Sequence, residues 1–119
     1  MTYRLQHSFA DGTLRVAVSG DLVPADLDGL LREIAGLRDD HAAERILVDV
    51  RAVQDNIGPL ETLKLVESYS GASHRHRTAV LETAEQTGRH RFHETAAINR
   101  GYKVLHFTDE GAADAWLKG

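Results

Sequence analysis

Seven histidines in 119 residues are the feature of this chain that most invites a chemical reading. His90 and His93 stand three apart with Glu94 beside them. Residues at that spacing share a helix face, and imidazoles so placed can chelate a metal ion such as zinc or iron. His74 and His76 form a second pair, interleaved with Arg75 and Arg77. What is missing is the tighter grammar of a zinc motif, in which paired histidines flank a catalytic glutamate. Solvated histidines among arginines are the favoured reading, and metal binding by His90, His93 and Glu94 is the alternative.

Asp49 offers a different chemistry. It stands near the end of an apolar run, where a phospho-receiver keeps its acceptor aspartate, and Thr83-Ala84 stands where such a domain keeps its switch pair. A receiver also needs a cluster of acids after its first strand to hold magnesium, and only Asp21 is available. The Lys-Pro pair after the last strand is missing too. Asp49 therefore reads as a strand-end carboxylate accepting hydrogen bonds from the following loop. Nucleophilic hydrolysis has less support, because Ser19, Ser68, Ser70 and Ser73 lie in no Gly-x-Ser-x-Gly elbow. The glycines are scattered and form no phosphate loop. With no cysteine, thiol redox chemistry, thiolate ligation and disulfides are excluded.

These residues need elements to carry them. Arg45-Ile-Leu-Val-Asp-Val-Arg51 has almost no polar face, which is the mark of a strand central to a parallel sheet and covered by helices on both sides. Residues 3 to 19 read as a hairpin, with Tyr3, Leu5 and Phe9, then Leu14, Val16 and Val18, on one side of an Asp11-Gly12 turn. Gly20 to Val23 reads as a loop. Pro24 opens a helix whose apolar stripe is Leu27, Leu30, Leu31, Ile34 and Leu37. After the central strand, Ala52 to Gly58 reads as a second loop.

Pro59 opens the next helix, with Leu60, Leu63, Val66 and Tyr69 as its core face. Thr78-Ala-Val-Leu81 is a short strand. A third helix lies between Glu85 and Arg100, with Phe92, Thr95, Ala96 and Asn99 on one side and Ile98 near its end. Gly101 ends it. Tyr102 to Phe107 is the last strand, Thr108 the N-cap of the closing helix, and Ala113, Trp116 and Leu117 that helix's buried edge. The expected fold is α/β: a mixed, mostly parallel five-stranded sheet with an N-terminal hairpin and four helices, residues 1–119 forming one domain. The aromatic residues look like core by their spacing, so a base-stacking platform is not expected.

The order of elements, and the ending Asn99-Arg-Gly-Tyr-Lys-Val-Leu-His-Phe-Thr-Asp-Glu-Gly-Ala-Ala-Asp-Ala-Trp-Leu117, resembles the SpoIIAA-like branch of the STAS superfamily. There, a strand ending in Phe leads through an acidic turn to a helix closing on Ala-Trp-Leu. The resemblance implies a non-enzymatic regulatory or ligand-binding module. Better-known members are anti-anti-sigma factors that carry a phosphorylatable Ser or Thr in a segment like Asp-Ser-Ser-Gly, at the start of the helix after the central strand. Here that stretch is Asp55-Asn-Ile-Gly58, so Asn56 or Ile57 replaces the phosphoacceptor. SpoIIAA-like proteins also resemble lipid carriers of the CRAL-TRIO type in general fold, which permits a small apolar ligand between helices.

Two loops, after the hairpin and after the central strand, are expected to meet at the carboxyl rim of the sheet, where open α/β sheets meet ligands and partners. The expected contact surface is Asp21, Leu22, Asp55, Asn56, Ile57 and Gly58, facing a protein partner or a small apolar ligand. Each polar member is also a natural cap or turn residue. No cofactor is expected. The formal charge of -4 argues against general nucleic-acid binding. With no membrane-length apolar run and no signal-like start, a cytoplasmic protein is expected. An exposed outer strand makes homodimerisation a further expectation.

Overall fold

The computed structural model describes residues 3–55, 57–67 and 76–119. Five strands form one sheet in the order β1-β2-β3-β4-β5. They are β1 (Tyr3–Ala10), β2 (Thr13–Leu22), β3 (Arg45–Asp55), β4 (Arg77–Leu81) and β5 (Lys103–Phe107). β1 and β2 are antiparallel, and β2 through β5 run parallel. The helices are α1 (Leu27–His41), α2 (Pro59–Glu67), α3 (Ala84–Asn99) and α4 (Glu110–Lys118). This is the mixed sheet and helix count expected from the pattern, with the apolar run at residues 45–50 on the middle strand.

Asp11 and Gly12 both take positive φ, 53° and 77°, as a two-residue primed turn requires. Arg45 then fastens the turn to the start of β3, donating to the Asp11 carbonyl at 2.6 Å and to Thr13 Oγ1 at 3.1 Å.

Both expected loops at the sheet's carboxyl rim begin later than the sequence suggests. β2 and β3 slip register between Ala17 and Ser19, and beyond the slip Ser19 to Leu22 pair with Ala52 to Asp55. The strands therefore run on to Leu22 and Asp55. Gly20 sits in this irregular stretch with φ 99°, a backbone shape that favours glycine. The two carbonyls around the break, Val50 and Val53, accept at 2.9 and 3.1 Å from Nε2 of the buried Gln86 on α3. Asp49 is consequently mid-strand and not at a strand end. Its partner is Arg51, through the backbone N–H at 3.0 Å and the guanidinium at 3.0 and 2.8 Å, so no following loop is involved. Burial works to raise the Asp49 pKa, but these contacts win and hold it below the ordinary value.

Residues alternate across the sheet. Leu47 and Ala79 face α4 and pack with Ala113, Leu117, Phe107 and Trp116. Leu14, Val16 and Val18 face α1 together with Leu30, Ile34 and Leu37. Val80 and Val104 lie on that same side with Val66 of α2 and with Ala96 and Ala97 of α3. So α1, α2 and α3 cover one face, and α4 covers the other.

Two helix faces and one cap differ from expectation. Leu60, expected on the core face of α2, is 62% exposed, while Val66 of that face is buried as expected; Tyr69 lies outside the described residues. On α3, Phe92 and Ile98 are 43% and 48% exposed, while Gln86, Ala96 and Ala97 are buried. The helix is thus rotated from the face that its aromatic and aliphatic residues suggested. Thr83, the supposed switch residue, is the N-cap of α3: its Oγ1 accepts from Gln86 N–H, and Gln86 Oε1 accepts from Thr83 N–H. The cap of α4 is Asp109 instead of Thr108, because its carboxylate reaches the Ala112 N–H at 2.9 Å.

Candidate functional site: a cavity over the sheet and a histidine cluster in its wall

In a fully covered sheet the middle strands are the driest place, yet Val48, Val50 and Val80 are only half-buried. The helix layer above them is parted. α2 and α3 pack on each other and α1 packs on β2, leaving a cavity of about 430 Å³ between α1 and the α2–α3 pair. Its floor is Ile46, Val48, Val50, Val80 and Val104, and its α1 wall is Leu27, Leu30, Leu31 and Ile34. Arg32, Arg38, Arg89 and His76 bring positive or titratable groups to the same space. The volume lies within the range of small-molecule sites, which are mostly apolar with a few polar groups placed among them.

His90, His93 and His106 line the cavity on the side away from α1. The register of the sheet explains their meeting. Val80 pairs with His106, so His106 points to the α3 side of the sheet, and Glu82 follows Leu81 at the end of β4. The Glu82 N–H then donates to the Phe107 carbonyl. α3 lays His90 and His93 directly across them.

Glu82 is 1% exposed, and one of its oxygens, Oε1, meets His90 Nδ1 at 2.9 Å and His106 Nδ1 at 2.5 Å. An ionised carboxylate only accepts, so both imidazoles carry their proton on Nδ1 and donate. His106 Nε2 is then left as acceptor for His93 Nδ1, 2.9 Å away. Glu94 completes the arrangement by accepting from the His106 backbone N–H at 2.6 Å. Burial pushes the Glu82 pKa up, but the hydrogen bonds from His106 and His90 and the charge beside it hold it at about 2. His93 moves the other way: burial, then the charges of His106 and His90, depress it to about 3, keeping it neutral.

The histidines of α3 are therefore not solvated side chains among arginines. The sequence grouped His90, His93 and Glu94, but Glu94 binds backbone, and the carboxylate at the centre is Glu82. His106 reads only as part of the last strand, and Glu82, just past the Thr78–Leu81 strand, carries no motif of its own. The parallel register of β4 and β5 is the signal that pairs them.

The expected rim residues fall where β2 and β3 end together. Leu22 pairs with Asp55, and Asp21 with Gln54. Leu22 is buried and Ile57 half-buried, and both border the cavity; Asp21 is exposed. The Gly58 carbonyl accepts from Thr62 in the first turn of α2. Asn56, His74 and Arg75 lie outside the described residues. Among the described residues no helix is long and apolar enough to cross a membrane.

No protein-family model matches the sequence, and no curated protein matches it either. Solved structures do resemble it. An anti-sigma factor antagonist from Mycobacterium paratuberculosis is similar over 98% of this chain and 95% of its own, with 16% identity and a TM-score of 0.65. An uncharacterized protein with a SpoIIAA-like fold from Shewanella loihica is similar over 97% and 93%, with 16% identity and a TM-score of 0.61. The chain thus has a SpoIIAA-like fold, a mixed five-stranded α/β sheet with four helices.

Proposed function

We propose that the chain is a non-enzymatic regulatory module that binds a small apolar ligand over β3 and β4 and meets a protein partner at the adjoining rim. The reading is carried by Val48, Val50 and Val80, three apolar side chains at the middle of a sheet left half-buried beneath a 430 Å³ cavity. An apolar occupant would remove that surface from water, at roughly 25 cal/mol for each Å² covered. Leu22 and Ile57 border both the cavity and the rim, so a filled cavity has a short route to the partner surface of Asp21, Leu22, Asp55, Asn56, Ile57 and Gly58. Likeness to an anti-sigma factor antagonist favours a protein as that partner. Asn56 and Ile57 offer no hydroxyl to a serine kinase, which leaves ligand occupancy as the control.

Uptake of the apolar dye N-phenylnaphthylamine tests the cavity. Its fluorescence should rise to saturation at one dye per chain, and Val48→Phe, which fills the floor, should abolish the rise while the protein still melts cooperatively. Absence of saturable uptake by the wild-type chain, or undiminished uptake by the variant, would remove the ligand reading. Native mass spectrometry of the same preparation reports any co-purified molecule. It also reports whether β1, an outer strand, pairs two copies.

A further inference from the structure

We infer that Glu82, His90 and His106 form a binding site for one divalent first-row transition ion, of the zinc or ferrous class, in the wall of the cavity. The proposal is independent of the apolar ligand. Three ligand atoms, one carboxylate oxygen and two imidazole nitrogens, lie within 4.8 Å of one another and come from three separate elements. Two of the separations, 2.9 and 2.5 Å, need open only by roughly half an ångström or more to admit an ion at the ~2.0–2.2 Å typical of nitrogen and oxygen ligands. Two imidazoles with one carboxylate suit zinc, iron or nickel better than magnesium or calcium, which prefer all-oxygen shells. His90 and His106 line the cavity, so the remaining coordination positions face it.

The surroundings of the three ligands fit an ion as well. A ligating imidazole needs a partner for its outer nitrogen, and His93 Nδ1 stands 2.9 Å from His106 Nε2. Glu94 holds the His106 backbone, fixing the approach of the ring. Loading conserves protons. His90 and His106 move their proton from Nδ1 to Nε2 as Nδ1 takes the ion. His93 makes the same exchange, so that its Nδ1 accepts from His106 Nε2, to which it formerly donated.

The test uses the full chain stripped with a chelator and titrated with Co²⁺ or Zn²⁺. Visible d–d absorption from Co²⁺ should saturate at one equivalent, and one equivalent of Zn²⁺ should raise Tm. Glu82→Gln and His90→Ala should each abolish stoichiometric uptake; His90 is the milder change, which guards against loss of folding, and far-UV circular dichroism checks both. His93→Gln, a positioning change, should weaken affinity by about 10–100-fold without altering the stoichiometry. His7→Ala and His41→Ala, at a ring contact between β1 and α1, should bind as the wild type does. No stoichiometric uptake by the folded wild-type chain would overturn the proposal and leave the cluster a hydrogen-bonded one. So would uptake that survives both Glu82→Gln and His90→Ala.

Discussion

Leu47 and Val48 are neighbours on one strand that meet opposite faces of the sheet, and they are treated differently. Leu47 is 2% exposed against α4, in a contact that also seals Ala79, Ala113 and Leu117. Val48, equally apolar and equally central, is half-buried under the cavity. A single amphipathic helix closes one face, while three helices leave the other parted. Packing is therefore unbroken beneath α4 and interrupted at the cavity on the other face, and a substitution on β3 should cost stability according to which of the two it touches.

The largest contrast is expected at Leu47 itself. Leu47→Ala should destabilise by about 2–5 kcal/mol, read by chemical denaturation, because its neighbours cannot collapse into the gap. Val48→Ala should cost about 1 kcal/mol or less, since its side chain already borders empty space. Equal losses at the two positions would end the distinction.

Acid should act next, through the cluster in the cavity wall. In chelator-stripped protein, His93 has a folded pKa of about 3 against an ordinary 6.5. Below about pH 6.5 the unfolded chain takes up a proton that the folded site refuses, so stability falls as pH is lowered toward 3. Glu82, at about 2 against 4.5, contributes stability that is present above 4.5 and is lost as pH falls toward 2. Tm should drop by several degrees between pH 7 and pH 4, and His93→Gln should flatten the upper part of that drop. A level profile would contradict the burial of His93.

The smallest effect belongs to the outer ion pairs of the α4 face. Arg15 reaches Glu110 at 2.7 Å and Asp114 at 3.0 Å, all three partly exposed. Arg15→Ala should cost about 0.2–1 kcal/mol, less in high salt. A larger loss would mean that charge, and not Leu47 and its neighbours, holds α4 down.

The same division explains what could be read in the sequence. The hairpin was legible because Asp11-Gly12 permits few other turns, and the central strand because Ile46 to Val50 exposes almost no polar face. α4 announced itself through Ala113, Trp116 and Leu117. The ends of β2 and β3 were not legible, because Gly20, Asp21, Gln54 and Asp55 look like loop composition; only pairing across a register slip makes them strand. α3 misled because its inner face is polar. Gln86 and His93 are satisfied by partners on β3 and β5, and His90 by Glu82 just after β4, while Phe92 and Ile98 are exposed. The cavity and its cluster share that face, so the rotation of one helix concealed both.

Gln86 gives the parted face a mechanical property. Its amide holds two carbonyls of β3 at the point where the ladder breaks, so the first turn of α3 and the last stretch of β3 are riveted together. On the function proposed above, an occupant pressing on α3 would act on β3 through this amide. Gln86→Leu removes both bonds and should uncouple cavity from rim.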